Sequence, residues 1–177
     1  NKFFLVGLAG EGDGDFMVYD GKEGGKYPMI ERAYGNPGVN FNGKLVYAAQ
    51  KEDGNYLLNI TGEKSKEYGG VGEIKIINDK LTYVTMDKGK QKVVYDGKEG
   101  KEYSKVANIM DIGGKLVYWA KDDSGEFVVY GGIEQKHYPE IDWLRMGVVA
   151  NKLVYVVSEK DEKNDLFSQK EFIVREK

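Results

Sequence analysis

The tetrapeptide pattern Lys-Leu-x-Tyr returns at a fixed interval along this chain, and that return limits its folds more than any other feature. Tyr47 in GKLVYAA, Tyr83 in DKLTYVT, Tyr118 in GKLVYWA and Tyr155 in NKLVYVV stand 36, 35 and 37 residues apart. The opening KFFLVG reads as a degenerate copy. A period of this size is the mark of stacked or radially arranged units, each too small to bury a hydrophobic face alone.

Each unit resolves into four short runs. The KLVY run, strand B, carries apolar residues on both of its alternating faces, as a strand covered on two sides does. Strand C follows a polar hairpin and reads FMVY (16–19), YLLNI (56–60), KVVY (92–95), FVVY (127–130) and FIV (172–174). A turn comes next, with a shared glycine at positions 21, 62, 97 and 132 that supplies the positive φ of a tight bend. Strand D is short and ends at Tyr27, Tyr68, Tyr103 or Tyr138. Strand A is the spaced apolar run before the next B: Val39/Phe41, Ile74/Ile76, Ile109/Ile112 and Met146/Val148. With 24 glycines, 13 tyrosines and only three prolines, the composition agrees with an all-β chain of short turns.

Four-stranded antiparallel sheets repeated every 36 residues or so bury both faces only by packing on one another, and around an axis they form a β-propeller. The pattern resembles the WD-repeat-like propeller repeats of the TolB-like kind, in which a KLVY-type strand leads through a hairpin into VVxDG and a KEY segment. The likeness spans nearly the whole chain. The Trp-Asp pair of true WD repeats is replaced by Tyr19-Asp20, Ile60-Thr61, Tyr95-Asp96 and Tyr130-Gly131. The resemblance implies an interaction scaffold or a binder of small molecules or glycans, and it transfers no functional residue.

The expected domain is one propeller over residues 1–177, with sheet units near 1–35, 36–70, 71–105, 106–140 and 141–177. The strand phase runs B-C-D, then three A-to-D units, then A-B-C. Five small blades with incomplete end blades are the simplest count. A larger propeller, or two chains completing each other, fits the same phase. Open sheet edges invite self-association.

The net charge of -3 arises from 26 basic and 29 acidic residues mixed along the chain, without a basic block. Nucleic acid is therefore not an expected partner. No run of 18 apolar residues spans a membrane. The start, Asn1–Gly7, is too short and too soon polar for a signal peptide. A signal removed before Asn1 would leave the same chain, so the compartment stays open, an extracytoplasmic one included. Absence of cysteine removes disulfides and thiolate metal sites.

Candidate chemistry is thin. His137 is the only histidine, so any His-dependent acid–base or metal chemistry passes through it and multi-His zinc sites are excluded by count; strand alternation places it outward. Glu11-Gly12-Asp13-Gly14-Asp15 resembles part of an oxygen-ligand calcium loop, and Asp13 and Asp15 would be the ligands of a weak Ca2+ site. The plainer reading is a solvated acidic turn. No other cofactor is expected. Trp119 reads as core filler. Trp143 lies between strands D and A of the fourth junction, flanked by Asp142 and Arg145, with Tyr34 at the matching place of the first. An aromatic there stacks on a sugar ring, anchors a peptide, or wedges between sheets. The leading expectation is a non-catalytic module binding a protein or peptide. A glycan or small-ligand binder using Trp143, Arg145, Asp142 and Tyr34 comes second, and a hydrolase with acidic catalysts last.

Overall fold

The computed structural model describes residues 4–8, 14–31, 38–61, 63, 65–150, 152–160 and 169–175, of which 4–8, 159–160 and 169–175 are described by their backbone alone. Every regular element among them is a β-strand, and every pairing is antiparallel. The chain divides into two compact units, Asn1–Gly100 and Lys101–Lys177.

The first unit holds three sheets. β1 (Phe4–Leu8), β2 (Asp15–Tyr19) and β3 (Lys22–Tyr27) form the first, in that order. In the second, β4 (Met29–Ile30) and β5 (Val39–Phe41) both pair with β6 (Lys44–Gln50), which continues to β7 (Tyr56–Ile60) and β8 (Lys66–Tyr68). β9 (Gly70–Ile77), β10 (Lys80–Asp87), β11 (Lys90–Tyr95) and β12 (Lys98–Glu99) form the third. The second unit holds the fourth sheet, β13 (Lys105–Ile112), β14 (Lys115–Asp122), β15 (Gly125–Tyr130) and β16 (Ile133–Glu134), and the fifth, β17 (Glu140–Val149), β18 (Lys152–Lys160) and β19 (Gln169–Arg175).

The A-to-D reading of the repeat is thus the observed strand order. Its boundaries need one correction. Each new sheet starts within a few residues of the strand-D tyrosine, so the second sheet opens at Met29 and not at 36. A further correction concerns strand D itself. Tyr27 and Tyr68 close β3 and β8, but β12 ends at Glu99 and β16 at Glu134, four residues short of Tyr103 and Tyr138. Tyr138 is instead held by an isolated bridge to Glu126, through Glu126 N–H to Tyr138 O at 2.9 Å and Tyr138 N–H to Glu126 O at 2.8 Å.

Turn chemistry sets the register. Asp20-Gly21 and Asp96-Gly97 occupy two-residue hairpins with positive φ at both positions (53° and 73°, 51° and 74°), which matches strand twist. Gly132 has φ 84°, while Gly62 lies outside the described residues.

The B strands of the second, third and fourth sheets are buried on both faces, as Leu45 through Ala49, Leu81 through Thr85 and Val117 through Ala120 are all buried, whereas β18 buries fully only the face of Leu153, Tyr155 and Val157. Within each unit this core lies between successive sheets. Met17, Ile30, Leu45, Tyr47 and Ala49 join the first two. Val46, Ala48, Leu58, Val71, Leu81, Tyr83 and Val94 join the second and third. A larger group that includes Val117, Trp119, Ile141, Leu153 and Tyr155 joins the fourth and fifth.

One contact repeats almost unchanged. The strand-D tyrosine of each copy meets the strand-B tyrosine of the next edge to face: Tyr27–Tyr47 at 6.2 Å, Tyr68–Tyr83 at 6.0 Å, Tyr103–Tyr118 at 6.2 Å and Tyr138–Tyr155 at 6.2 Å. This geometry sets the positive ring edge against the negative face and adds about 0.5–1.5 kcal/mol to the area buried. The hydroxyl of the D tyrosine then bonds to a group of the following copy: Asn59 Oδ1 for Tyr27, the Tyr83 hydroxyl for Tyr68, Glu134 Oε1 for Tyr103.

Candidate functional site

The first strand of each of the last three sheets is interrupted opposite the strand-B tyrosine of its neighbour or one residue beyond it. In β9 the register slips between Tyr83 and Thr85, so that Gly72 and Glu73 oppose Val84 alone. In β13 Asn108 and Ile109 oppose Tyr118. In β17 the slip is wider: Asp142 pairs with Val156 and Gly147 with Val154, leaving residues 143–146 opposite Tyr155. Such bulges bend a strand and re-aim its side chains.

The β17 bulge gathers three of the residues expected to bind a ligand. Asp142, Trp143 and Arg145 lie together, but inside an A strand and not in a D-to-A connection. Asp142 organises the bulge. Its Oδ1 accepts the backbone N–H groups of Leu144 (3.1 Å) and Arg145 (3.2 Å), and its Oδ2 accepts Arg145 Nε at 2.5 Å. The Arg145 hydrogen bond holds the Asp142 carboxyl below its ordinary range. Met146 turns into the core, while Leu144 is left 74% exposed. Val148 and Val149, further along β17, are exposed as well.

Trp143 is partly buried. Its ring packs on the core beside Trp119, 6.1 Å away at a 32° tilt, and its carbonyl accepts Asn108 Nδ2 at 2.8 Å. That bond ties the β17 bulge to the β13 bulge, where Asn108 itself adopts φ 55°. Trp119 fills the core as expected, with Lys105 Nζ 5.9 Å from its ring centre.

Tyr34 and Asp13 lie outside the described residues. Asp15 heads β2, and its Oδ2 accepts the backbone N–H of Ile30 at 3.0 Å, the first pairing segment of the next sheet. Glu126 stands at the same repeat position and does the same for Ile141 at 2.8 Å. An acidic side chain here staples one sheet to the next, a role the turn-like composition around Asp15 conceals. Among the described residues, no group of three or more His, Asp or Glu side chains could hold a metal ion.

His137 is not a plain outward residue. It stacks on Phe127 at 4.0 Å and 19°, and its Nδ1 lies 2.7 Å from Ser124 Oγ. Ser124 Oγ also lies 2.5 Å from Asp122 Oδ1. The arrangement brings a serine beside an imidazole, yet the proton runs the wrong way for a nucleophile. The Ser124 hydrogen bond keeps Asp122 ionised below its usual range, so Ser124 donates its single hydroxyl proton to Asp122. Ser124 Oγ then accepts from His137 Nδ1–H, and the imidazole cannot act as its base. Glu134, whose Oε2 is 4.0 Å from His137 Nε2, is held low chiefly by Lys101 at 2.7 Å and also accepts the Tyr103 hydroxyl.

Comparison with known proteins finds no family model, no curated protein and no solved structure that matches the chain. Its function must be argued from its own geometry.

Leu144 escaped the sequence reading because a single exposed leucine is ordinary. A signal was present in the period: the interval from Tyr118 to Tyr155 exceeds that from Tyr83 to Tyr118 by two residues. Those two residues are the difference between the β13 and β17 bulges.

Proposed function

We propose that this chain is a non-catalytic interaction module that engages a protein or peptide partner through the β17 bulge. The observation that carries the reading is Leu144, a large aliphatic side chain 74% exposed on a backbone locked by Asp142. Apolar side chains that are rigid before binding lose little conformational freedom on docking and make effective anchors. Charged Asp142 and Arg145 border the anchor, as a polar rim borders an interface core. We read the five sheets as the blades of a propeller. The support is the period of the sequence and the uniform Tyr–Tyr geometry between successive sheets within each unit.

The experiment is site-specific photo-crosslinking in cells of the source organism. A photoreactive amino acid at position 144 should give a discrete adduct with one protein, and the same probe at exposed Lys98 should not. Adding Asp142→Ala, which frees the bulge, should weaken the adduct several-fold. Equal labelling at both positions would refute the reading, as would a glycan-array signal unaffected by Leu144→Asp.

A further inference from the structure

Strand C places a valine opposite the strand-B tyrosine position in four copies: Val18 opposite Leu5, Val94 opposite Tyr83, Val129 opposite Tyr118 and Val174 opposite Tyr155. In the second sheet the residue opposite Tyr47 is Asn59. It is 9% exposed. Its Oδ1 accepts Ser65 Oγ at 2.6 Å and the Tyr27 hydroxyl at 3.4 Å, while its Nδ2 has no partner among the described residues. Exchanging the amide oxygen and nitrogen does not cure this. Whichever atom faces Ser65 and Tyr27, the other end of the amide stays unpaired. A valine would carry no such cost, since an unpaired buried amide is destabilising.

The surroundings are polar in a way the other copies are not. Ser65 stands where the first and third copies have Gly24 and Gly100. Tyr27 and Tyr47 meet edge to face beside the amide. Their hydroxyls lie under the backbone of β3, where a Cβ on Gly25 would come within 3.3 Å of the Tyr27 hydroxyl and one on Gly24 within 3.6 Å of that of Tyr47. Gly24 and Gly25 are themselves exposed, so the approach from solvent passes over residues without side chains.

We propose that Asn59, with Ser65 and Tyr27, forms a binding site for one hydroxyl group. A hydroxyl both donates and accepts, so it completes the free end of the amide in either orientation. The hydroxyl comes from a trapped water or from a small polyol, and one experiment separates the two. Nuclear magnetic resonance on the whole chain, labelled at the asparagine side chains, reads cross-relaxation between the Asn59 amide and water. A persistent water cross-peak at Asn59 that glycerol leaves unchanged assigns the site to water. A saturable shift of the Asn59 resonance with glycerol, together with loss of the water peak, assigns it to a polyol. In Asn59→Val neither signal should survive, while the tyrosine resonances stay dispersed. Absence of both signals in the wild-type chain overturns the proposal, and that result stands whether or not the valine variant folds.

Discussion

Glu126 offers the sharpest test of how successive sheets are held, because its two oxygens do different work. Oε2 receives two buried donors, the indole Nε1–H of Trp119 at 3.3 Å and the backbone N–H of Ile141 at 2.8 Å. Oε1 receives only the half-exposed ammonium of Lys121 at 3.0 Å. Glu126→Ala strands both buried donors. Each costs about 1–3 kcal/mol unmade, so the variant should lose about 2–6 kcal/mol in total. Glu126→Gln keeps a carbonyl oxygen that can take the place of Oε2 and accept both donors. Its NH2 would face Lys121, whose chain is free to turn to solvent. The loss is then charge assistance alone, about 1 kcal/mol. Lys121→Met should cost less than about 1 kcal/mol, as exposed ion pairs do. The assay is equilibrium urea unfolding followed by tryptophan fluorescence; both tryptophans, Trp119 and Trp143, lie in the second unit. A glutamine variant as damaged as the alanine variant would refute the single-oxygen argument. An alanine variant within 1 kcal/mol of the parent (about the lower limit for one stranded donor) would refute the staple itself.

Two further outcomes follow from the tyrosines. Tyr103 is buried against Tyr118 and Phe127, so Tyr103→Ala should cost about 3–5 kcal/mol in a denaturant or thermal melt, whereas Tyr103→Phe, which keeps the ring and loses the hydroxyl that bonds Glu134, should cost about 0.5–1.5 kcal/mol; an unchanged melt for the alanine variant would show the residue misplaced. Burial raises the phenol pKa of Tyr47, Tyr83, Tyr103 and Tyr118 above the ordinary 10.0. The folded state therefore holds protons that the unfolded state releases; stability is unaffected below about pH 10 and falls as pH rises beyond it. Tyrosinate absorbance from these rings should appear together with unfolding, and Tyr83→Phe should shallow the alkaline decline; full tyrosinate absorbance in a chain that is still folded would contradict their burial.

The strand order was legible because it is written in local chemistry. Alternation, Asp-Gly turns and the fixed place of Tyr27, Tyr68, Tyr103 and Tyr138 each depend on neighbours a few residues away. The repeated tyrosine contact has a related cause: a ring that recurs at one phase of the repeat has the same neighbour each time. What escaped was whatever differs between copies. The width of the β17 bulge depends on how the register resumes at Gly147, which no propensity encodes. The sequence spacing puts Trp143 in the connection between strands D and A; in the fold Asp142 and Arg145 close a bulge within β17.

Asp15 and Glu126 show why copy-to-copy differences hold the functional information here. Read singly, Asp15 belongs to an acidic turn and suggests a cation. Read by register, it shares a position with Tyr56, Gln91, Glu126 and Glu171. At that position an acceptor reaches the amide of the second residue of the following sheet in the first and fourth copies. The bond to Ile30 gives Asp15 a structural role at that position. Leu144 runs the other way. No repeat position calls for an exposed leucine, and no bond within the bulge is served by its side chain. A residue that the architecture explains is poor evidence of function. One that the architecture holds rigid, yet does not use, is where a partner is best sought.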